Sequence, residues 1–180
     1  MPKRDRAIPH APPCQAGPAG VEHVVPTVPA SAGALIRDRR GRLLLLKPTY
    51  KSGWTLPGGE MEDTGESPWQ ACRREVREEC GLQVPGGRLV CVDFRPGRPG
   101  RPGRRGRRGG VRFLFDCGAL DDAALAGIRV QPGEISEHRF AELPAALELL
   151  RKPVRRRVAE TLAAPGFVYL EDGRRVDGVG

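Results

Sequence analysis

Residues 58–82 read GGEMEDTGESPWQACRREVREECGL, and this stretch decides the fold around it. Three of its glutamates, Glu75, Glu78 and Glu79, are spaced three residues and then one residue apart. At about 100° per residue, this spacing places their side chains within an arc of roughly 100° on one side of a helix. Like charges packed so closely repel one another, and a bound divalent cation would remove that repulsion. Mg²⁺ and Mn²⁺ both take carboxylate oxygens as ligands.

The helix that carries these glutamates has clear boundaries in the sequence. Ser67 is suited to cap its N-terminus, Pro68 suits its first position, and Gln70 completes a Ser-x-x-Gln capping box. Gly81 suits the position after the last turn, where the backbone is commonly left-handed. On a helical wheel Glu79 lies closest to the apolar side, which predicts that it is the least solvated of the three glutamates.

The whole stretch resembles the Nudix box, whose pattern is G-x5-E-x7-R-E-U-x-E-E-x-G-U, where U is a bulky aliphatic residue. Residues 66–82 match this pattern in order, from its first glutamate to its last position. One departure precedes Glu66, because six residues and not five separate it from Gly59. The resemblance therefore covers residues 59–82 with a loop that is one residue longer, and the effect of this insertion stays open.

The resemblance implies the Nudix fold, in which a mixed β-sheet is sandwiched between α-helices. The order of the predicted elements agrees with an α+β class. Strand-like runs lie on both sides of the box, at residues 31–37, 42–47, 54–56, 88–94 and 111–117. Two helices follow near the C-terminus and are separated at Pro153, because proline interrupts a helix.

The length of 180 residues is typical of one domain, and its composition suggests two regions. Residues 1–20 are rich in Pro, Ala and Gly and are predicted to be a disordered tail, while residues 21–180 form a single domain. The longest apolar run, at residues 43–46, is too short to span a membrane. The five cysteines form no CxxC pair. We therefore expect a cytoplasmic protein with reduced, buried thiols.

The net charge of +8 originates almost entirely in residues 95–110, RPGRPGRPGRRGRRGG, which contain seven arginines and no acidic residue. Proline and glycine disfavour a β-ladder, so this segment is predicted to be a long exposed loop. We interpret it as a solvated insertion. The alternative, an arm that attracts polyphosphate or nucleic acid, is less favoured because no aromatic residue lies between the arginines.

The box residues have expected roles that follow from their chemistry and from the resemblance. Glu75, Glu78 and Glu79 are the expected ligands of Mg²⁺ or Mn²⁺, with the carbonyl of Gly59 as a further ligand. Glu78, Glu79 and Arg74 are the expected catalytic residues. Glu79 is expected to be the most essential of them, and Arg74 to orient the carboxylates.

Residues around the helix are expected to support it or to contact substrate. Glu66 would hold the preceding loop against the helix, and Gly58 and Gly81 are also expected to be structural. Lys51 and Trp54 precede the box and are candidates to contact a phosphate or a nucleobase. Trp54 is equally suited to the core.

The function implied by the resemblance is metal-dependent hydrolysis of a phosphoanhydride bond. The substrate would be a small molecule in which a nucleoside diphosphate is linked to another group, such as a nucleotide or a sugar. The general base stays open between a box glutamate and a distant one, such as Glu134 or Glu137. The competing hypothesis is a Nudix-like nucleotide sensor or nucleic-acid-associated protein without turnover, and a homodimer is left open.

Overall fold

The structure is a computed structural model that describes residues 27–100 and 106–179, so the predicted tail at residues 1–20 lies outside the described residues. Its strands are β1 (Ala30–Arg37), β2 (Leu43–Pro48), β3 (Gly58–Glu60), β4 (Arg88–Arg95), β5 (Gly110–Ala119), β6 (Ile135–Ala141), β7 (Val168–Glu171) and β8 (Arg174–Arg175). Its helices are α1 (Pro68–Cys80), α2 (Asp122–Ala126), α3 (Leu143–Leu149) and α4 (Lys152–Ala163).

The strands form one mixed sheet in the order β6-β2-β1-β5-β4-β7-β8, and β3 pairs with the first half of β1. The β1–β5 and β4–β7 pairs are parallel, and the other neighbouring pairs are antiparallel. Helix α1 packs on one face of the sheet, while α3 and α4 pack on the other. The predicted α+β architecture, with a mixed sheet between helices, is therefore confirmed.

Two apolar layers hold the sheet between its helices. On the α1 face, Val76 packs with Ile36 of β1. On the opposite face, Leu35 of β1 packs with Leu114 of β5 and Val158 of α4. Because both faces are covered, the run of four leucines at the start of β2 is buried along its whole length instead of alternating.

The short strand expected at residues 54–56 is the first difference from the sequence-based prediction. Trp54 and Thr55 form isolated bridges only, and residues Gly58–Glu60 make the ladder with β1 instead. Thr55 exchanges two backbone hydrogen bonds with Leu46, at 2.8 and 2.9 Å, before the chain crosses to β1. The ladder with β1 therefore begins at Gly58 and not at residue 54, because Thr55 is hydrogen-bonded to Leu46 of β2.

The arginine-rich segment is the second difference, because its ends are more ordered than a long exposed loop would be. Arg98 and Arg107 exchange two backbone hydrogen bonds of 2.8 Å, which extend the β4–β5 hairpin. Guanidinium nitrogens of Arg95, Arg98 and Arg107 lie 3.4 to 3.9 Å from the carboxylate of Asp172. The ends of the segment are thus held against the turn between β7 and β8.

The cysteines of the described residues agree with the expectation of buried thiols. Cys72, Cys80 and Cys91 are buried, Cys117 is half-buried, and all four are free. Cys14 lies outside the described residues. Among the helices of residues 27–100 and 106–179, none combines the length and the apolar character needed to cross a membrane.

Asp93 of β4 is almost fully buried, with 1% of its surface exposed, and it joins three elements. Its carboxylate accepts a hydrogen bond from Nε of Arg157 at 2.8 Å and another from the backbone nitrogen of Gly173 at 2.9 Å. Strand β4 is thereby connected to α4 and to the β7–β8 turn.

We predict that Asp93→Ala lowers the free energy of unfolding by about 3–5 kcal/mol, because the substitution leaves Arg157 buried without its partner. The matched control is Glu160→Ala, which removes an exposed pair with Arg175 at 2.9 Å and should cost less than about 1 kcal/mol. Urea denaturation of both variants provides the measurement. Equal losses would show that the Asp93 contacts do not hold these elements together.

Candidate active site

Helix α1 begins and ends at the predicted residues. The hydroxyl of Ser67 accepts a hydrogen bond from the backbone nitrogen of Gln70 at 3.2 Å, and the Gln70 side chain accepts one from the Ser67 nitrogen at 2.7 Å. At the other end Gly81 has a left-handed φ of 70° and donates its N–H to the carbonyl of Arg77 at 2.9 Å. These caps fix the helical phase of the glutamates.

Glu79 is the least exposed of the three box glutamates, as the helical wheel predicts. Glu79 is buried at 6% exposure, whereas the side chains of Glu75 and Glu78 are 14% and 44% exposed. Burial raises the pKa of Glu79 to about 8, and the charges of Glu75 and Glu134 act in the same direction. A carboxylate in this position needs a positive partner when it is ionised.

The ionised form of Glu75 is also disfavoured. Its pKa is raised, first by burial and then by the charges of Glu78 and Glu134, although Arg74 opposes the rise. Nη1 of Arg74 donates to Oε1 of Glu75 and to Oε2 of Glu78, both at 2.9 Å. One guanidinium therefore joins two of the expected metal ligands.

The same guanidinium ties the helix to the loop before it. Nε and Nη2 of Arg74 donate to the two oxygens of Glu66 at 3.1 and 2.9 Å, and Nη2 also donates to the carbonyl of Glu60 at 3.0 Å. Oε1 of Glu66 accepts the backbone N–H of Glu62 at 2.6 Å. These contacts form despite the additional residue in the loop. The hydrogen bond from Arg74 lowers the pKa of Glu66, so this carboxylate is charged.

Gly58 and Gly59 bring the backbone directly against the buried carboxylates. The N–H of Gly58 donates to Oε2 of Glu79 at 2.7 Å, and its φ of 137° lies in a region that favours glycine. A Cβ at Gly58 would overlap the carbonyl oxygen of Ala32. A Cβ at Gly59 would overlap the carboxylate of Glu75. Gly58 therefore requires glycine because it meets backbone atoms, whereas a side chain at Gly59 would displace the Glu75 carboxylate.

The donor set is suited to a divalent cation. Two carboxylates of raised pKa, Glu75 and Glu79, lie against the Gly58–Gly59 backbone, and Glu78 is on the same helix. Oxygen donors of this type are those that Mg²⁺ and Mn²⁺ take. Within residues 27–100 and 106–179, no three acidic, histidine or cysteine side chains already converge as a metal centre. The residues fit such a cation by their chemistry, with Arg74 as the present partner of Glu75 and Glu78.

The two candidate substrate contacts lie in different places. Lys51 lies in the wall of a cavity of about 380 Å³ that Gly58, Gly59 and Glu60 also line. Trp54 is 7% exposed and packs in the core, which is the alternative that the sequence left open for it. Its ring lies under cations of β2 and β6 instead, with the Arg139 guanidinium 5.0 Å from its centroid.

The two distant glutamates also differ. Glu134 acts electrostatically on both Glu75 and Glu79, so the fold brings it to the same site. The carboxylate of Glu137 lies 3.4 Å from Lys47 and 3.2 Å from Arg139 and is paired with them. Glu134 is therefore the better placed of the two to receive a proton from water.

Four arginines of the cavity wall were not identified from the sequence: Arg95, Arg112, Arg151 and Arg157. They come from β4, β5, the start of α4 and α4 itself, so only the folded chain brings them together. One signal was available for Arg112, since it precedes the buried Leu114 by two residues and must share its face of the sheet.

Comparison with known proteins gives matches over most of the described chain. The family model described as NUDIX domain matches residues 27–162. An uncharacterised Nudix hydrolase of Pseudomonas aeruginosa is 31% identical over 134 residues, which cover 67% of this chain and 62% of that protein. An RNA pyrophosphohydrolase of Haemophilus influenzae is 39% identical over 62 residues, 34% of this chain and 31% of that protein. The chain thus matches less than two thirds of the length of either relative.

Solved structures show the same fold. The MutT protein of Methanosarcina mazei is 25% identical with a TM-score of 0.55, and the match covers 74% of this chain and 92% of that chain. The MutT protein of Bacillus halodurans is 19% identical with a TM-score of 0.60, covering 79% of this chain and 87% of that one. The mixed sheet between helices is therefore shared with these proteins.

We predict that Gly58→Ala destabilises the protein more than Gly41→Ala does. Both glycines have positive φ, at 137° and 80°, but a Cβ at Gly41 meets no atom within 4 Å. Backbone strain alone should cost Gly41→Ala about 1–2 kcal/mol, whereas Gly58→Ala adds the overlap with Ala32. Urea denaturation measures both, and equal losses would show that the Gly58 backbone can move away from β1 freely.

Proposed function

Because the chain belongs to the Nudix family, we propose that it is a metal-dependent pyrophosphohydrolase. Its substrate class is a nucleoside diphosphate linked to another group, and the bond cleaved is the phosphoanhydride. The observation that carries this proposal is the pair of buried carboxylates, Glu75 and Glu79, which lie against the Gly58–Gly59 backbone with raised pKa values. Such a pair is costly to the fold unless positive charge arrives there.

Glu75, Glu78 and Glu79 would hold Mg²⁺ or Mn²⁺, with the Gly59 carbonyl as a further ligand. When bound, the cation supplies the positive charge that lets a diphosphate approach three carboxylates and that activates water for attack. Without it, burial favours the protonated form of Glu79 at neutral pH, since its pKa is about 8. The contribution of this chain to the metal site is therefore the three carboxylates that would hold the cation.

Arg74 is a positioning residue in this proposal. Its guanidinium holds the oxygens of Glu75 and Glu78 at 2.9 Å, and Glu66 holds that guanidinium in turn. A planar guanidinium with two carboxylates on one nitrogen and a third on its other edge has little freedom to rotate. The ligand oxygens are therefore oriented before any cation binds.

Glu134 is the general base in this proposal, and it takes the proton from the attacking water. It is exposed to solvent, and its charge acts on both Glu75 and Glu79. Its backbone carbonyl accepts the N–H of Thr49 at 2.8 Å, which fixes the loop that carries it. Glu137 is not suited to the role, because Lys47 and Arg139 pair with its carboxylate.

The location that we propose is cytoplasmic. The support for it is the free state of the buried thiols Cys72, Cys80 and Cys91 together with the half-buried Cys117. Free thiols are typical of reducing compartments.

We predict that hydrolysis of nucleoside diphosphate derivatives requires a divalent cation. We also predict that Glu79→Gln lowers kcat at least roughly 10²-fold, because the variant loses one charged contact at the reacting centre. The control is Glu148→Gln on α3, an exposed glutamate that should leave kcat unchanged. Phosphate release from a substrate panel, with and without Mg²⁺, provides the measurement. Full turnover in excess chelator would show that no metal is needed. Full turnover by Glu79→Gln would show that the metal binds elsewhere.

A second pair of variants tests the general base. We predict that Glu134→Gln lowers kcat by about 10²–10⁴-fold, the usual contribution of a positioned base, while KM changes little. Glu137→Gln, on the same segment, should retain most of the wild-type kcat. If Glu134→Gln is as active as the wild type and keeps the same pH profile, a box glutamate takes the proton instead.

A further inference from the structure

The cavity beside the box carries a strong excess of positive charge. Of the residues that line its volume of about 380 Å³, one is acidic, Glu60. The basic residues in the wall are Lys51, Arg95, Arg112, Arg151 and Arg157. Pockets usually take their specificity from a few polar groups among apolar ones. Five basic side chains in a single wall therefore indicate an anionic ligand.

The sheet places Arg112 at a defined distance from the box. Glu60 of β3 is opposite Ser31 of β1, and Ser31 is opposite Arg112 of β5. The three residues form one row across three strands, so about 10 Å separates the backbone at Glu60 from that at Arg112.

Part of the positive charge in the wall is already compensated. Arg157 pairs with the buried Asp93 at 2.8 Å. Arg95 lies 3.4 Å from Asp172, but Arg98, Arg107 and Arg156 share that carboxylate. One carboxylate faces four guanidinium groups there, so Arg95 is compensated only in part.

Arg112 and Arg151, unlike Arg95 and Arg157, form no ion pair with a carboxylate among the described residues. Among the described residues, the side chain of Arg112 makes one hydrogen bond, from Nη1 to the carbonyl of Val111 at 3.1 Å. Burial and the nearby charge of Arg157 lower the pKa of Arg112, and the charges of Glu60 and Asp93 offset this effect only in part. The Nε atom of Arg151 is buried without a hydrogen-bond partner in the described chain, and the Nε atom of Arg95, although 3.4 Å from Asp172, makes no hydrogen bond with it. An anion in the cavity would relieve these costs.

We propose that the cavity binds a second phosphate of the substrate, a phosphomonoester that is not cleaved, and that Arg112 is its main specificity-determining contact. A phosphomonoester is a compact dianion with several acceptor oxygens, which suits the guanidinium fork. A cavity of about 380 Å³ accommodates a group of mononucleotide size, so the occupant that we propose is a small molecule. This inference rests on the proposed function for the identity of the cleaved bond, whereas the anion site depends on the arginines alone.

A binding measurement tests the site without turnover. Adenosine 3′,5′-bisphosphate and AMP differ by one phosphomonoester, and calorimetry at low salt compares their affinities. The wild type should bind the bisphosphate at least about tenfold more tightly, the usual contribution of hydrogen bonds to a charged group. Arg112→Gln should lose this preference, and Arg112→Lys should restore part of it. The control Arg88→Gln removes a charge from the exposed start of β4 and should keep the preference.

A turnover measurement separates this inference from the proposed function. Coenzyme A and its dephospho form offer the same diphosphate with and without a second phosphate, and kcat/KM is compared for both. A preference for the phosphorylated form that Arg112→Gln abolishes through KM supports the site. Hydrolysis of both forms with equal kcat/KM, or equal binding of the bisphosphate and AMP, overturns the site while the proposed function stands.

The remaining outcomes are also decisive. Tight, Arg112-dependent binding of the bisphosphate without hydrolysis of any substrate would support the anion site and count against the proposed function. Loss of the preference in Arg88→Gln as well would show general charge attraction and overturn the site. If a single-stranded RNA oligonucleotide binds more tightly than the bisphosphate and this binding also depends on Arg112, the ligand of the cavity is a polynucleotide and the proposed small ligand is wrong.

Discussion

The contact between Arg74 and Glu66 is the constraint on which the rest of the site depends. It joins the middle of α1 to the loop before it through two hydrogen bonds of 2.9 and 3.1 Å. Because the same guanidinium donates to Glu75 and Glu78, the loop, the helix and two carboxylates are connected through one side chain. The additional residue in the loop is tolerated for this reason, since Glu66 still reaches Arg74 and only the intervening residues need to adjust.

The sheet separates the two kinds of charge in this protein. Helix α1 brings its carboxylates to one side of the Gly58–Glu60 strand, and α4 with β4 and β5 brings arginines to the cavity wall on the other side. The backbone of Gly58 and Gly59 lies between the carboxylates and the arginines. Because these two residues have no side chain, nothing of theirs blocks the space between the two charged groups. Under the proposed function, a substrate would meet negative charge through a bound cation at its cleaved bond, and positive charge at the arginines of the cavity wall. These opposite charges would determine the direction in which the ligand lies.

The parts of the structure that were predicted correctly are local in the sequence. The boundaries of α1 depend on Ser67, Gln70 and Gly81, which contact residues within one turn, and the relative burial of the glutamates follows from helical phase alone. Displacement of the short strand to Gly58–Glu60 was not predictable in this way, because it depends on pairing with two different strands. Asp93 and Asp172 were also missed, since their partners lie on distant elements and no spacing rule connects them.

The arginine-rich segment shows why a count of charges is a poor guide to their role. The segment contains seven arginines against a net charge of +8 for the chain, but an exposed charge such as that of Arg98 is screened within about 10 Å at 0.1 M salt. Arg95, its first residue, is instead at the end of β4 and in the cavity wall, where burial lowers its pKa and screening is weak. Arg112 is the second residue after the segment, and burial lowers its pKa as well. The hairpin thus matters to the site mainly through the strand ends that it connects, because these ends place Arg95 and Arg112 in one cavity.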